Sequence, residues 1–265
     1  MLRSSSNTKV AGQGLTDLGG MVKPVRRWWM AVALPAWVFS GFLVAQLLVS
    51  GLLWLLEILH IPLSAINENV LATAVAALIY LVTLGLVIGL PWLKKHRISL
   101  QDLGLHRFPS WTDIWMAPAG LIIYLVISAG LIYLATLLLP WFEVGQAQNT
   151  GFGQLNQRYE YILAFFTLVV IAPVAEEVLF RGYLFGKLKK FIPIWIAIFI
   201  TSLLFGFVHG TWNVAIDTFS LSVVLCLLRL STGSLWAPIL LHMTKNGIAF
   251  YILFINPTIL HTLGG

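Results

Sequence analysis

Seven apolar runs, each long enough to cross a lipid bilayer, constrain the fold of this chain more than any other feature. They cover residues 28–56, 70–92, 112–140, 160–186, 193–210, 213–230 and 235–256. A membrane-spanning helix needs about 17–25 predominantly apolar residues. Only 10% of the 265 residues are charged, whereas soluble domains carry about 25%. The sequence therefore predicts an all-α, polytopic membrane bundle of about seven transmembrane helices and argues against a water-soluble fold.

The basic residues indicate how this bundle is oriented. They lie before the first run, between the second and third, after the fourth and at the end of the sixth: Lys23, Arg26, Arg27, Lys94, Lys95, Arg97, Arg107, Lys187, Lys189, Lys190 and Arg229. Because cytoplasmic loops are enriched in Lys and Arg, the N-terminus is predicted to be cytoplasmic. The net charge of +6 then suits anionic lipid headgroups, and we expect no nucleic-acid partner.

The same pattern divides the chain into three parts. Residues 1–27 form a polar N-terminal tail, 28–140 three accessory transmembrane helices, and 160–256 a core of four transmembrane helices. We expect the first run to remain as an uncleaved anchor, in an integral multi-pass protein of a bacterial plasma membrane. The connection 141–158 is either a linker or a lid. Cys226, the single cysteine, lies in an apolar run and is interpreted as a small hydrophobic residue.

Ionisable side chains inside the apolar runs are the strongest functional signal. A charge at bilayer depth costs a few kcal/mol or more, so such residues face a protein interior and commonly serve chemistry or transport. Glu177 and Arg181 are spaced i,i+4 and predict an ion pair on one helix face. Glu176 points about 100° away from Glu177 and has no local partner. Glu176 is therefore our candidate for a general base.

Two further runs carry imidazole or amide groups. His209 follows Phe205 by four residues, and His242 precedes Asn246 by four, so each pair shares a helix face. Imidazole can bind water or a metal, and the Asn amide can donate to an oxyanion. Pro173 is predicted to free a backbone carbonyl one turn back, and Pro238 is expected to act in the same way. The alternative is that both are ordinary prolines of membrane helices.

Two charged residues in the last two runs fit the pattern less directly. Lys245 lies beside His242 in sequence and is expected to snorkel or to face the bundle. Asp217 lies near the outer end of the sixth run and is expected to reach the interface. Neither is assigned a catalytic role.

Three segments together resemble the motifs of one family. Residues 172–182, with Glu176, Glu177 and Arg181, are similar to the EExxxR motif of the CPBP (CAAX-protease and bacteriocin-processing) family, also called the Abi or Rce1-like family. Residues 205–209 are similar to its FxxxH motif, and residues 242–246, preceded by a family-like 233–238, to its HxxxN motif. The resemblance covers about residues 160–256 and does not extend to the first three runs.

The resemblance implies an intramembrane endopeptidase of the glutamate type. Glu176 and His209 are implied to activate water, His242 and Asn246 to stabilise the oxyanion, and Glu177 and Arg181 to support the site. No cofactor is required in this interpretation. The partners would be membrane lipids and a membrane-associated peptide or protein substrate.

Several alternatives remain open at the level of sequence. Glu176, His209 and His242 also resemble a catalytic zinc set of three protein ligands, although the chain lacks HExxH. A non-catalytic bacteriocin self-immunity or scaffold protein could use the same pocket for binding, and a proton-coupled transporter could use the same residue types. By its position in the fifth run, His209 is expected to lie nearer the outer side than Glu176 and His242. A tilted helix, a late start to the fifth span or a water-filled cavity would bring them together.

Overall fold

The computed structural model describes residues 27–93, 98–146 and 150–259, and within them every regular element is helical. The main helices are α1 (Met30–Ile58), α2 (Glu68–Gly89), α3 (Trp111–Leu138), α4 (Arg158–Phe191), α5 (Ile194–Phe207), α6 (Trp212–Thr232) and α7 (Trp236–Ile255). In the described part of the chain, all except α5 are long and apolar enough to cross a membrane, and α5 is a shorter apolar helix. The predicted helical membrane bundle is thus confirmed.

Short elements and side-chain caps define the ends of these helices. A turn of 3₁₀ helix at Leu63–Ala65 follows α1, a short helix at Leu90–Leu93 extends α2, and another at Leu100–Leu103 precedes α3. Asn67 caps α2 by accepting from two backbone N–H groups. Ser110 forms a capping box with Asp113 at the start of α3. The tail before Arg27 and the basic residues Lys94, Lys95 and Arg97 lie outside the described residues, so the cytoplasmic N-terminus stays a prediction.

Wide helical turns surround the paired glutamates on α4. The segments Phe166–Ile171 and Val178–Leu184 are π-helical and flank a regular stretch, Ala172–Glu177. Within the first wide turn, the N–H of Ala172 donates to the carbonyl of Thr167. The next bond in that pattern would join residue 173 to the carbonyl of Leu168, but Pro173 has no N–H. This bond is therefore missing, and the Leu168 carbonyl needs a donor other than the backbone of its own helix.

The core of the bundle lies around α4 and α6. Half of the best apolar window of α6 and 44% of that of α4 are buried, compared with 11–17% for α1, α2 and α3. Helix α6 packs against both α3 and α5, and α7 packs against α3 and α4. The outer helices expose many large apolar side chains, as expected for surfaces that face lipid. The four C-terminal helices thus provide most of the protein interior.

Two loops are fastened to the bundle by polar contacts. The loop 98–104 lies against Arg229 of α6, whose Nη2 donates to the carbonyl of Asp102 at 3.3 Å. In the connection before α4, Asn69 donates to the carbonyl of Gln154 and accepts from the N–H of Gly153. Residues 147–149, in the predicted linker or lid, lie outside the described residues.

Candidate active site

A cavity of about 350 Å³ lies between five of the long helices and the end of α5. Its ionisable and amide lining comprises Glu176, His209, His242, Lys245 and Asn246, and Tyr80 and Thr83 of α2 also line it. All four predicted catalytic residues therefore border one space, although they come from three separate segments. Phe39, Phe42, Phe180 and Phe250 contribute to the apolar part of the wall.

Of the two adjacent carboxylates on α4, Glu176 has the more exposed side chain. Its side chain is 15% exposed, whereas that of Glu177 is fully buried. The Tyr80 hydroxyl donates to Glu176 Oε1 at 2.5 Å, and Glu176 Oε2 lies 3.8 Å from His242 Nε2. The prediction that Glu176 has no partner on its own helix holds, but α2 supplies one. Sequence reasoning missed Tyr80, and its only signal was a hydroxyl within an apolar run, since buried Tyr O–H groups usually find a partner.

The predicted ion pair between Glu177 and Arg181 is present and completely buried. Arg181 Nη1 donates to Glu177 Oε1 at 2.9 Å, and both side chains are 0% exposed. The same oxygen lies 2.8 Å from His242 Nδ1. Because a carboxylate oxygen is an acceptor, Nδ1 carries the hydrogen in this bond. Glu177 thus fixes the His242 ring with its Nε2 towards Glu176.

His209 reaches the cavity from a turn and not from a helix, which corrects the expectation that it lies on a helix. Helix α5 ends at Phe207, and His209 Nδ1 donates to the Phe205 carbonyl at 2.7 Å. Its Nε2 is therefore the nitrogen that can accept a proton. At 1.5 Å per residue, a helix of 14 residues is only about 21 Å long, shorter than a hydrocarbon core of about 30 Å. This short span removes the apparent conflict in depth with Glu176.

The Phe205 ring connects the polar groups of the site. Its centroid lies 4.9 Å from that of His209 and 5.8 Å from that of His242, in edge-on arrangements. The Arg181 guanidinium carbon lies 4.3 Å from the same centroid, within the range of a cation–π contact. Phe205 is itself fully buried. It therefore restricts both imidazole rings to edge-on orientations.

Asn246 uses one amide hydrogen to satisfy the carbonyl that Pro173 leaves free. Its Nδ2 donates to Leu168 O at 2.9 Å, the carbonyl five residues before Pro173. The predicted effect of Pro173 on its helix is thus observed, and it positions Asn246. An amide NH₂ has two hydrogens, so one remains for a ligand in the cavity. Pro238 lies in the first turn of α7, where its missing N–H breaks no intrahelical bond, so the same expectation is wrong for Pro238. The carbonyl four residues before it, that of Ser234, accepts from the Thr232 hydroxyl at 3.2 Å.

Lys245 and Asp217 form an ion pair inside the bundle. Lys245 Nζ lies 3.1 Å from Asp217 Oδ2, and Asp217 Oδ1 accepts from Tyr124 at 2.5 Å and Ser128 at 2.7 Å. The prediction that Asp217 reaches the interface is wrong, because these groups on α3 and α7 hold it between the helices. For Lys245, the bundle-facing alternative is the one observed.

The residues do not assemble the predicted zinc alternative. Among the residues that the structure describes, no three His, Cys, Asp or Glu side chains are grouped so that they could hold a metal ion. We therefore derive no step through a metal. Cys226 is fully buried, as expected of a small hydrophobic residue.

Comparison with known proteins supports the resemblance over one segment within the C-terminal half of the chain. Residues 158–248 match a family model described as Rce1-like, type II CAAX prenyl endopeptidase Rce1-like. The resemblance seen in the three motifs is therefore confirmed.

Two named bacterial relatives match a similar length of chain. The membrane-embedded CAAX protease MroQ of Staphylococcus aureus (strain USA300) is 30% identical over 98 residues, which cover 35% of this chain and 40% of MroQ. The putative membrane peptidase YdiL of Bacillus subtilis (strain 168) is 29% identical over 77 residues, or 29% of this chain and 32% of YdiL.

A third relative, an uncharacterized 24.3 kDa protein of Escherichia coli, is 32% identical over 98 residues, which cover 34% of this chain and 45% of that protein. The chain thus spans less than half the length of each of these relatives. No solved structure matches it.

Proposed function

Because residues 158–248 are similar to Rce1-like peptidases, we propose that this protein is an intramembrane endopeptidase that hydrolyses peptide bonds of membrane-associated substrates. One observation carries the proposal. Glu176, His209, His242 and Asn246, from three distant segments, line one cavity within a membrane bundle. These are the groups needed to activate water and to stabilise the negative charge that forms on a peptide carbonyl.

The first chemical step would be attack by a water molecule held between Glu176 and His209. Glu176 takes a proton from the water while the water oxygen bonds to the carbonyl carbon of the substrate. The π electrons of that carbonyl move onto the carbonyl oxygen. His209 holds the same water through Nε2, because its Nδ1–H is committed to Phe205. The second step breaks the C–N bond. The leaving nitrogen receives the proton that Glu176 had taken, and the products are a carboxylic acid and an amine. The acid then gives its proton to the amine, which yields a carboxylate and an ammonium group.

The oxyanion would be stabilised from the α7 side of the cavity. His242 in its doubly protonated form donates from Nε2, while its Nδ1–H stays bonded to Glu177. Asn246 offers the amide hydrogen that Leu168 does not use. Glu177 and Arg181 act as positioning residues, because they fix the His242 ring without lining the cavity.

The cavity wall also favours a particular kind of substrate. Its polar groups are surrounded by apolar and aromatic side chains from α1, α4, α5 and α7. An extended segment of a membrane-embedded or lipid-associated protein would bury its apolar residues against this wall and present its backbone to Glu176. The proposed partners are therefore membrane lipids and a membrane-associated peptide or protein, and no nucleic acid. The reaction is proposed to need no cofactor.

Glu176→Gln tests the proposal against the non-catalytic rivals. The amide keeps an acceptor for Tyr80 and nearly the same shape, but it cannot take a proton from water. Removal of a general base typically costs 10²–10⁴-fold in rate, so we expect cleavage to fall by about this factor. The measurement compares peptides released by membranes containing the wild type and the variant.

The matched control is Glu57→Gln, because Glu57 is an exposed carboxyl on α1 outside the cavity, and this variant should keep full activity. If Glu176→Gln leaves cleavage or the cellular phenotype intact, the protein is not a peptidase of this kind, and a binding or self-immunity role becomes the better interpretation. A chelator should leave the wild-type rate unchanged, whereas loss of activity that zinc restores would establish the metal-dependent alternative.

A further inference from the structure

We propose that Tyr80 is a positioning residue for Glu176, so that helix α2, outside the family-matched segment, completes the active site. This inference rests on the proposed peptidase function. In the proposed reaction, the Tyr80 hydroxyl donates a hydrogen bond to Glu176 Oε1, so that Oε2 is the oxygen that takes the proton of the attacking water. Residues 158–248 would then not contain the whole catalytic apparatus.

The geometry around Glu176 distinguishes its two oxygens. Oε1 accepts from Tyr80 at 2.5 Å, a short distance typical of an O–H donor to an ionised carboxylate. Oε2 faces His242 Nε2 at 3.8 Å, which is beyond hydrogen-bond range. Oε2 therefore keeps an open side within the cavity, where a water molecule can approach, while Oε1 is already occupied.

Helix α2 is held where Tyr80 can make this contact. It packs against α4 at the regular stretch Ala172–Glu177 and at the wide turn Phe166–Ile171. At the N-terminal end of α2, Asn67 donates to Glu160 at the start of α4 at 2.6 Å. These contacts join two segments that are 93–96 residues apart in sequence. The position of Tyr80 thus depends on α2 as a whole.

The hydrogen bond from Tyr80 would have its largest effect on catalysis when Glu176 is ionised. A carboxylate that accepts a hydrogen bond is stabilised in its charged form, which is the form that can act as a base. The bond also restricts rotation of the carboxyl group, so that Oε2 points into the cavity. Tyr80 donates throughout and exchanges no proton with water. The proton that Oε2 receives from water passes to the leaving nitrogen, and the carboxylate returns to its bond with Tyr80.

Tyr80→Phe tests this role, because it removes the hydroxyl and keeps the ring. Loss of one hydrogen bond to a charged group corresponds to about a tenfold effect or more, so kcat should fall about tenfold, with KM changed by less than about twofold. The acidic limb of the pH profile of kcat should move to higher pH by about one unit, because a carboxylate without its donor is protonated more readily. The shape of the pH profile does not depend on the fraction of protein that is folded. It therefore tests whether Tyr80 positions Glu176 even if the variant is less stable.

Tyr124→Phe is the matched control. Tyr124 also donates to a carboxylate within the bundle, Asp217 Oδ1, at 2.5 Å, but it does not line the cavity. This variant should lose comparable stability and keep the wild-type pH profile. If Glu176→Gln abolishes cleavage while Tyr80→Phe and Tyr124→Phe have the same pH profile as the wild type, Tyr80 does not position the base, and the peptidase proposal still stands. If Glu176→Gln remains active, the peptidase proposal itself has failed.

Discussion

The buried cluster of Glu177, Arg181 and His242 makes a quantitative prediction about stability. Arg181 and Glu177 are both 0% exposed and are joined at 2.9 Å. Arg181→Met keeps most of the side-chain volume but leaves the Glu177 carboxylate in the interior with His242 as its remaining partner. Breaking a buried pair by removing one member typically costs about 3–5 kcal/mol. For a chain of this size that corresponds to a decrease in Tm on the order of 10 °C.

A double-mutant cycle separates the unpaired charge from lost packing. Glu177→Gln removes the second charge but retains an oxygen that can accept from His242 Nδ1. The double variant should therefore be more stable than the sum of the two single losses predicts, by about 1–3 kcal/mol. Thermal unfolding of the purified protein in one detergent, measured for all four members of the cycle, gives this coupling.

An exposed ion pair provides the control for this cycle. Lys190 and Asp102 are joined at 3.1 Å, but their side chains are 59% and 47% exposed. Lys190→Met should cost no more than about 1 kcal/mol. If Arg181→Met is as mild as Lys190→Met, or if the losses in the cycle are simply additive, then burial does not make the Glu177–Arg181 pair essential and the reasoning is refuted.

Two further predictions concern the packing of α5 on α6 and the loop 98–104. A Cβ at Gly206 would lie 2.6 Å from the carbonyl oxygen of Ala215, so Gly206→Ala should destabilise the protein by about 1–3 kcal/mol. Gly130→Ala, which meets nothing within 4 Å, should instead stabilise α3 by about 0.5–1 kcal/mol, and equal Tm values for the two variants would contradict this. Hydrogen bonds from Ser99, and then from Lys190, lower the pKa of Asp102 to about 2. The ionised Asp102 therefore contributes to the stability of the loop fully above its ordinary pKa of about 3.9, and this contribution is lost as the pH falls through about 2. Hydrogen exchange in the loop should therefore accelerate below about pH 4 relative to Asp102→Asn, and identical pH dependence in both proteins would show that Asp102 does not stabilise it.

The spans and the local geometry on each helix could be predicted from the amino-acid order alone. The observed ends of all seven main helices lie within a few residues of the apolar runs, because apolar length is read directly along the chain. The Glu177–Arg181 pair was also predictable, since an i,i+4 spacing fixes which side chains meet on one helix. The effect of Pro173 on its own helix followed from its missing N–H.

Contacts between groups on different helices could not be predicted in this way, because they depend on how the helices pack. Tyr80 bonds to Glu176, His242 to Glu177, and Asn246 to Leu168 over separations of 65–96 residues. Helical periodicity gives the direction of a side chain around its own axis, but it does not specify which helix packs on that face or how far each helix is shifted along the bundle. The short α5 shows the same limit, because the turn that carries His209 could be placed at the cavity that Glu176 lines only once the end of that helix was known.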